Sequence, residues 1–166
     1  EARGARALLL RGNVADEAHV SRMFDEIESA WGGLDILVSN AASGVLKPVS
    51  ELTLHHFHWT MDINAGALLP LVQHFLHMPA KGPRSVVAVS SLGAVRAIPN
   101  YTAVGASKAA LESMVRHLAA ELAPQGVRVN AVSAGTVDTD ALKHFPNREQ
   151  LLNESARRTP AGRLIT

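Results

Sequence analysis

Residues 85–112 read SVVAVSSLGAVRAIPNYTAVGASKAALE and join a strand pattern to a helix pattern. The run at 86–89 is short, apolar and rich in valine, which is typical of a buried parallel strand, and two serines end it. The small and apolar residues at the end of the stretch indicate a helix, on which Tyr101 and Lys108 stand seven positions apart. Because a helix turns by about 100° per residue, seven steps bring both side chains onto one face.

The chemistry of this pair suggests a site for oxyanion stabilisation. A phenol that points into a cleft can donate a proton, and a neighbouring ammonium favours the phenolate electrostatically. A Tyr/Lys pair at this spacing is common by chance, however, so a solvated helix face is the alternative for the pair alone.

Two further apolar runs change the balance between these interpretations. Residues 34–38 and 127–132 read as parallel strands, and they end in the small polar loops 39–44 and 133–139. Ligands in open α/β sheets bind at the carboxyl ends of the strands. Three such strand ends around one Tyr/Lys helix therefore predict a ligand site.

These motifs resemble those of the short-chain dehydrogenase/reductase family over nearly the whole chain. The sequence SNAA at 39–42 is similar to the family's Asn-Asn-Ala-Gly loop, and Asn64 in MDINAGALL resembles its active-site helix asparagine. Ser91 resembles the catalytic serine. The Ser-Ala-Gly sequence at 133–135 is similar to the Pro-Gly turn after the sixth strand.

The position of the tyrosine narrows the resemblance to one branch. The usual Tyr-x-x-x-Lys pattern would place a tyrosine at 104, where this sequence has Val104. Tyr101 instead gives the Tyr-x6-Lys spacing of the enoyl-acyl-carrier-protein reductases. The stretches 96–112 and 126–152 look most like the type III, serine-containing branch of those reductases.

The resemblance implies a fold and a boundary. We expect one Rossmann-like domain over residues 1–166, with a doubly wound parallel sheet in a three-layer α/β/α arrangement. The domain is expected to be incomplete, because the chain opens at the family's third strand (residues 7–11), contains no G-x-x-x-G-x-G loop, and ends before the last strand. For the same reason we expect the isolated chain not to bind NAD(P)H measurably.

The resemblance also implies an activity: NADPH-dependent reduction (NADH being possible) of trans-2-enoyl thioesters of acyl-carrier protein or CoA in fatty acid synthesis. In this interpretation Tyr101 stabilises the enolate oxygen, Ser91 assists, Lys108 binds the nicotinamide ribose, and Asn64 stabilises a helix kink and holds a water linked to Lys108. The cofactor-binding residues implied are Tyr101 and Lys108 together with Asn13, Val14, Asn40, Ala41, Ala42, Gly135, Val137 and Thr139.

Several alternatives stay open at this point. The chain could be a carbonyl reductase or alcohol dehydrogenase of the same family, or a non-catalytic fragment that lacks cofactor binding. Tyr101 could cap its helix, Lys108 could be an ordinary solvated lysine, Asn64 could bond a neighbouring backbone, and Ser90 could take the place of Ser91.

Composition excludes other classes of function. The formal charge is +1 with the basic residues dispersed, which gives no nucleic-acid footprint. There is no cysteine, which suits a cytoplasmic protein, and no apolar run of about 18 residues or signal peptide is evident. The histidines at 55 and 58, and at 74 and 77, have helical spacing but no acidic or cysteine partner, so we expect no metal site.

In the family that the chain resembles, the helices at about 53–78 and 102–122 pack against their copies in a neighbouring subunit, which implies a dimer or tetramer. The periodicity of the sequence predicts the order of the elements. The expected helices cover about 16–31, about 53–78, 102–122 and about 148–158, and the second is capped by Ser50 or Thr53 and kinked at Pro70. The expected strands cover 34–38, 85–89 and 127–132.

Overall fold

The computed structural model describes residues 4–139, 142 and 148–164, and it divides into two compact units, Glu1–Val132 and Ser133–Thr166. The single domain predicted for residues 1–166 stays a prediction. The helices and strands of the first unit are α1 (Glu17–Trp31), β1 (Ile36–Ser39), α2 (Leu54–Met61), α3 (Leu68–His77), β2 (Arg84–Val89), α4 (Thr102–Leu122) and β3 (Val127–Val132); the second unit contains α5 (Arg148–Arg158).

The sheet of the first unit has three parallel strands in the order β1-β2-β3. Leu37 of β1 lies opposite Val86 of β2, which lies opposite Val129 of β3. Each connection between these strands contains helix, as parallel pairing requires. The predicted α/β class with a parallel sheet is therefore confirmed.

One face of the sheet is packed, and the opposite face is exposed. Alternate residues of the strands join one core cluster with α1, α3 and α4, among them Leu37, Val86 and Val129, which are at most 9% exposed. The residues that alternate with them point to the other face, where Ile36 is 59% and Val38 57% exposed. All the helical cover that positions the candidate site thus lies on one side of the sheet.

Helix starts follow ordinary capping chemistry. Asp16 caps α1 by accepting a hydrogen bond from the backbone N–H of His19, and Gly32 ends that helix with a left-handed φ of 73°. Thr53, one of the two predicted caps, forms a reciprocal capping box with His56 at the start of α2.

The predicted kink at Pro70 is wrong, because the long helix breaks earlier. A single π-helical turn, Asp62–Gly66, separates α2 from α3, with Ala67 N–H donating to the Asp62 carbonyl at 2.8 Å. Pro70 falls in the first turn of α3, where a missing N–H costs little. Such π turns are frequent at functional sites.

The predicted strand at residues 7–11 is also wrong, since the structure assigns no strand there and Leu9 is 94% exposed. A parallel strand needs a neighbour for its backbone groups. Among the described residues β1 pairs only with β2, so its other edge offers no ladder that includes residues 7–11.

The second unit is small and polar. Helix α5 has no buried residue, and its Arg148 side chain donates to Asp138 at 2.6 Å. Thr136 and Ser155 share a side-chain hydrogen bond of 2.7 Å. Within the described parts of both units, no helix is long and apolar enough to cross a membrane.

Candidate active site

The site forms where β2 ends and α4 begins. Tyr101 lies at the N-cap position of α4, but its side chain makes no capping bond; its hydroxyl instead lies 3.2 Å from Ser91 Oγ. Ser91 Oγ also accepts the backbone N–H of Gly93. The structure thus brings together the predicted phenol and the predicted serine.

Two glycines make room for the tyrosine ring. A Cβ built on Gly93 would overlap ring carbons of Tyr101, and a Cβ on Gly105 would stand 2.8 Å from the Gly93 carbonyl oxygen. The ring therefore lies directly against the Gly93 backbone, and α4 approaches the same backbone from one turn further along. Any side chain at Gly93 would force the ring away from Ser91.

Lys108 lies seven residues after Tyr101, in helix α4, and is only 6% exposed. Its ammonium donates to the Val89 carbonyl at 2.7 Å, the last carbonyl of β2. Burial lowers the pKa of Lys108 below its usual value of 10.5, because the charged form loses hydration. With one N–H on Val89, the ammonium retains two donors for a ligand.

The two consecutive serines at the end of β2 have different partners. Ser90, 8% exposed, donates its hydroxyl proton to Glu112 Oε1 at 2.6 Å, while its backbone N–H donates to the Val132 carbonyl of β3. The geometry therefore assigns only Ser91 to the tyrosine.

Asn64, 3% exposed in the π-helical turn, ties the loop after β1 to the site. Its side chain accepts from Ser43 N–H and donates to Ser43 C=O, both at 2.8 Å, and it donates to Ser107 Oγ at 2.9 Å. The bond to a neighbouring backbone considered for this asparagine is therefore present, and its role in holding a water linked to Lys108 stays a prediction.

The same loop covers the position where the wider family pattern has its tyrosine. Gly44, next to Ser43, packs so closely on Val104 that a Cβ would overlap Val104 Cγ2. Val104 is 7% exposed. The indole N–H of Trp59 donates to Ser43 Oγ at 2.9 Å and adds another anchor to the loop.

The remaining predicted cofactor residues fall into three groups. Asn13 forms a turn before α1, in which its side-chain oxygen accepts the Ala15 N–H, and Val14 packs on the core. Asn40, Ala41 and Ala42 are exposed directly after β1. Gly135, Val137 and Thr139 belong to the second unit.

Each predicted histidine pair has neighbours in the structure. In the 74/77 pair, His74 stacks on Phe24 with ring centroids 5.3 Å apart, and His77 Nδ1 lies 2.8 Å from the Gln73 carbonyl. In the 55/58 pair, the His55 ring lies 6.3 Å from that of His56, and the His58 ring lies 6.2 Å from that of Phe57. Among the residues that the structure describes, no three His, Asp or Glu side chains cluster closely enough to hold a metal ion.

The donor set fits the nicotinamide-ribose half of a dinucleotide. Lys108 is a buried cation with free donors, and the exposed Ala41 and Ala42 have no atoms beyond Cβ to keep a ligand from their backbone. Backbone N–H groups of a glycine loop at a helix N-terminus bind pyrophosphate in this fold, and the 166 residues contain no such loop.

Sequence reasoning missed the two glycines and the Ser90–Glu112 bond. Gly93 stands two positions after Ser91 and Gly105 four positions after Tyr101, so their proximity in sequence to predicted site residues was a usable signal. Glu112 had no such signal, because a glutamate on a helix is most often solvated.

Comparison with known proteins gives a consistent result. The sequence model of a family described as "Enoyl-(Acyl carrier protein) reductase" matches residues 1–166. A 1-cyclohexenylcarbonyl-CoA reductase of Streptomyces collinus is 38% identical over 149 residues, and the match covers 90% of this chain and 53% of the relative. An enoyl-[acyl-carrier-protein] reductase [NADH] FabI of Synechocystis sp. is 34% identical over 163 residues, 96% of this chain and 63% of the relative.

Solved structures agree in fold and in extent. The enoyl-[acyl-carrier-protein] reductase (NADH) of Aquifex aeolicus superposes with a TM-score of 0.83 at 32% identity, covering 92% of this chain and 61% of that one. A Bacillus cereus enoyl-acyl carrier protein reductase with NADP+ and indole naphthyridinone gives 0.88 at 26% identity, with 96% and 63% covered. The chain thus spans less than two thirds of the length of these relatives.

Replacing Gly93 by alanine tests the packing of the tyrosine ring. We expect Gly93→Ala to lower the free energy of unfolding by about 1–3 kcal/mol, the usual cost of overpacking. Gly82→Ala is the matched control, because its Cβ would meet nothing closer than the Asp35 carboxyl at 3.9 Å. Denaturant unfolding of both variants measures the difference, and equal stability would show that the ring does not depend on Gly93.

Replacing Lys108 by methionine tests the burial of the ammonium. Because the folded pKa lies below the unfolded value of 10.5, the burial cost is fully present at neutral pH and disappears as pH rises through the window between the two values. The free energy of unfolding of Lys108→Met minus that of the wild type should therefore fall as pH rises towards 10.5. Unfolding curves of both proteins from pH 7 to 10.5 measure this, and a constant difference would contradict it.

Proposed function

Because the chain belongs to the enoyl-(acyl carrier protein) reductase family, we propose that it forms the catalytic part of a reductase of trans-2-enoyl thioesters carried by acyl-carrier protein or CoA. The observation that carries this proposal is the contact between the Tyr101 hydroxyl and Ser91 Oγ at 3.2 Å, at the carboxyl end of the central strand β2. Membership of the family supports the reaction class, and the contact between Tyr101 and Ser91 supports the choice of these two residues.

The proposed chemistry places one proton-donating group at the developing charge. A nicotinamide dinucleotide, when bound, supplies the hydride that C3 of the substrate accepts. The Tyr101 hydroxyl donates a hydrogen bond to the thioester oxygen, where negative charge collects as the enolate forms. Ser91 orients the phenol and assists at the same oxygen, and C2 of the enolate then takes a proton from solvent.

Lys108 has a second proposed role beside its contact with Val89. Its remaining donors bind the ribose hydroxyls of the cofactor, and its charge favours the hydrogen-bonded, anionic state of the site. Ala41 and Ala42 offer their backbone to the same ribose, and Asn64 fixes the loop that follows them through Ser43.

The position of the phenol supports an enoyl substrate over a ketone. In an enoyl thioester the charged oxygen is two atoms farther from the hydride-accepting carbon than in a ketone. Tyr101 stands one helical turn before position 104, and Val104 at that position is buried against Gly44. A phenol displaced by one helical turn fits the more distant oxygen of an enoyl thioester, which supports this substrate class.

The choice of cofactor is a separate part of the proposal. NADPH was the expectation from sequence, but it lacks support from the relatives, several of which carry NADH in their names; the Bacillus cereus structure contains NADP+. We propose a nicotinamide dinucleotide and test both forms.

A completed chain allows the activity to be measured. The completed chain consists of these 166 residues joined to the parts of the Synechocystis reductase that lie outside the matched region. All the proposed catalytic residues then come from the 166 residues. We expect it to oxidise NADH or NADPH with crotonyl-CoA and hardly at all with acetoacetyl-CoA. Faster turnover of acetoacetyl-CoA would favour the carbonyl-reductase alternative, and failure to bind either cofactor would favour a non-catalytic fragment.

Substitutions in the completed chain separate the roles of the two central residues. Tyr101→Phe should lower kcat by about 10²–10³-fold, as removal of an oxyanion donor does, with cofactor affinity close to normal. Lys108→Ala should weaken both turnover and cofactor binding. Steady-state kinetics and cofactor titration measure these effects, and a near-normal rate for Tyr101→Phe would reduce the tyrosine to a structural role.

An apolar groove supports the proposal that the completed protein forms a dimer or tetramer through α3 and α4. It lies between the two helices, and Leu69, which is 48% exposed, contributes to its wall. In the family these helices pack against their copies in a neighbouring subunit. The groove is lined by Leu69, Ala110, Ser113, Met114, His117 and Leu118.

Sedimentation of the completed chain at micromolar concentration tests this assembly. We expect a dimer or tetramer, and we expect Met114→Glu to shift it towards monomer by placing a charge in the groove. Arg116→Glu changes an exposed residue of the same helix outside the groove and should leave assembly unchanged. A wild-type chain that sediments only as a monomer would refute the proposal.

A further inference from the structure

Three consecutive residues at the end of β2 are each held by α4. The Val89 carbonyl accepts from Lys108 at 2.7 Å, and Ser91 Oγ lies 3.2 Å from the Tyr101 hydroxyl. Between them, Ser90 donates its hydroxyl proton to Glu112 Oε1 at 2.6 Å. The mechanism proposed above uses the first and the last of these contacts but not the middle one.

The bond between Ser90 and Glu112 has the features of a strong anchor. Its length of 2.6 Å is that of a hydrogen bond from a hydroxyl to a carboxylate, which is about twice as strong as a neutral one. Ser90 is 8% exposed, and its backbone N–H donates to the Val132 carbonyl. Glu112 is thereby connected to the two strands β2 and β3 through one residue.

The contact of Lys108 is not suited to the same task. If the proposed function is right, its ammonium changes partners when a ribose binds, so its bond to Val89 does not hold α4 throughout turnover. Glu112 stands four residues after Lys108 on the same helix face, and the proposed function gives it no contact with the cofactor. A shift of α4 by one residue along its axis would be about 1.5 Å, enough to separate Tyr101 from Ser91.

We propose that Glu112 is a positioning residue: by accepting a hydrogen bond from the Ser90 hydroxyl it holds α4 in the register in which Tyr101 faces Ser91. This inference rests on the proposed function for its catalytic meaning, but its structural content is independent of turnover. It predicts that disturbing Glu112 or Ser90 changes the surroundings of the Tyr101 ring, more than ten residues away in sequence.

Tyr101 is the only tyrosine of the chain, so 3-fluorotyrosine gives a single ¹⁹F resonance that reports on this ring. Ser91→Ala defines the chemical shift of the ring without its partner. We expect Glu112→Leu, Glu112→Asp and Ser90→Ala to move the resonance towards that position, and the double variant Ser90→Ala/Glu112→Leu to move it no further than either single one. Glu112→Gln keeps an oxygen acceptor at the same reach and should leave the resonance near its wild-type position.

Glu121→Leu, at an exposed glutamate of the same helix, is the matched control and should leave the resonance unchanged. In the completed chain, Glu112→Asp should lower kcat by about tenfold to a hundredfold with the KM for cofactor unchanged, because small misplacements of a catalytic group act on the rate. Glu112→Gln should retain most of the wild-type kcat.

The outcomes are distinguishable from failure of the proposed function. A wild-type resonance in Glu112→Asp, an equal shift in Glu112→Gln, or a Glu112→Asp chain that does not fold would overturn the positioning role. An inactive completed chain, together with a 166-residue chain whose ¹⁹F resonance follows the expected pattern, would refute the enoyl reductase proposal and leave the positioning role in place.

Discussion

The attachment of helix α4 to the last residues of strand β2 is the constraint on which the site depends. Lys108 bonds Val89 and Glu112 bonds Ser90, and Tyr101 faces Ser91, the next residue along the chain. The strand itself is central in the sheet, paired on both sides, so its end is fixed by the backbone ladders. A helix that carries a buried lysine would otherwise be costly, because an unpaired charge loses hydration.

The layout of the first unit explains why the site lies at this edge. Helices α1, α3 and α4 cover one face of the sheet, and the π-helical turn brings Asn64 to the loop after β1. That loop and the end of β2 are neighbours because parallel strands end at the same edge. The exposed opposite face and the open edge of β1 are compatible with a chain that spans less than two thirds of its relatives.

Much of this structure could be predicted from the sequence because local patterns determine it. Helix α4 has the predicted bounds, and Thr53 caps α2 through its own side chain. The predicted position of the helix break was wrong because the break at 62–66 accompanies the bonds of Asn64 to a loop distant in sequence and does not lie at Pro70. The strand expected at 7–11 failed because strands depend on partners that propensity does not specify.

Site residues followed the same division between local and distant causes. The pairing of Tyr101 with Ser91 could be inferred from the family motif, whereas the separate partner of Ser90 required three-dimensional contacts. The central claim is that this site sends hydride to an alkene carbon and charge to the oxygen beyond it. In the most direct test, the completed chain is incubated with equal amounts of crotonyl-CoA and acetoacetyl-CoA. The nicotinamide cofactor carries deuterium at the C4 position from which hydride is transferred, and mass spectrometry locates the deuterium in the products. The account predicts deuterium at C3 of butyryl-CoA, and deuterium in 3-hydroxybutyryl-CoA would contradict it.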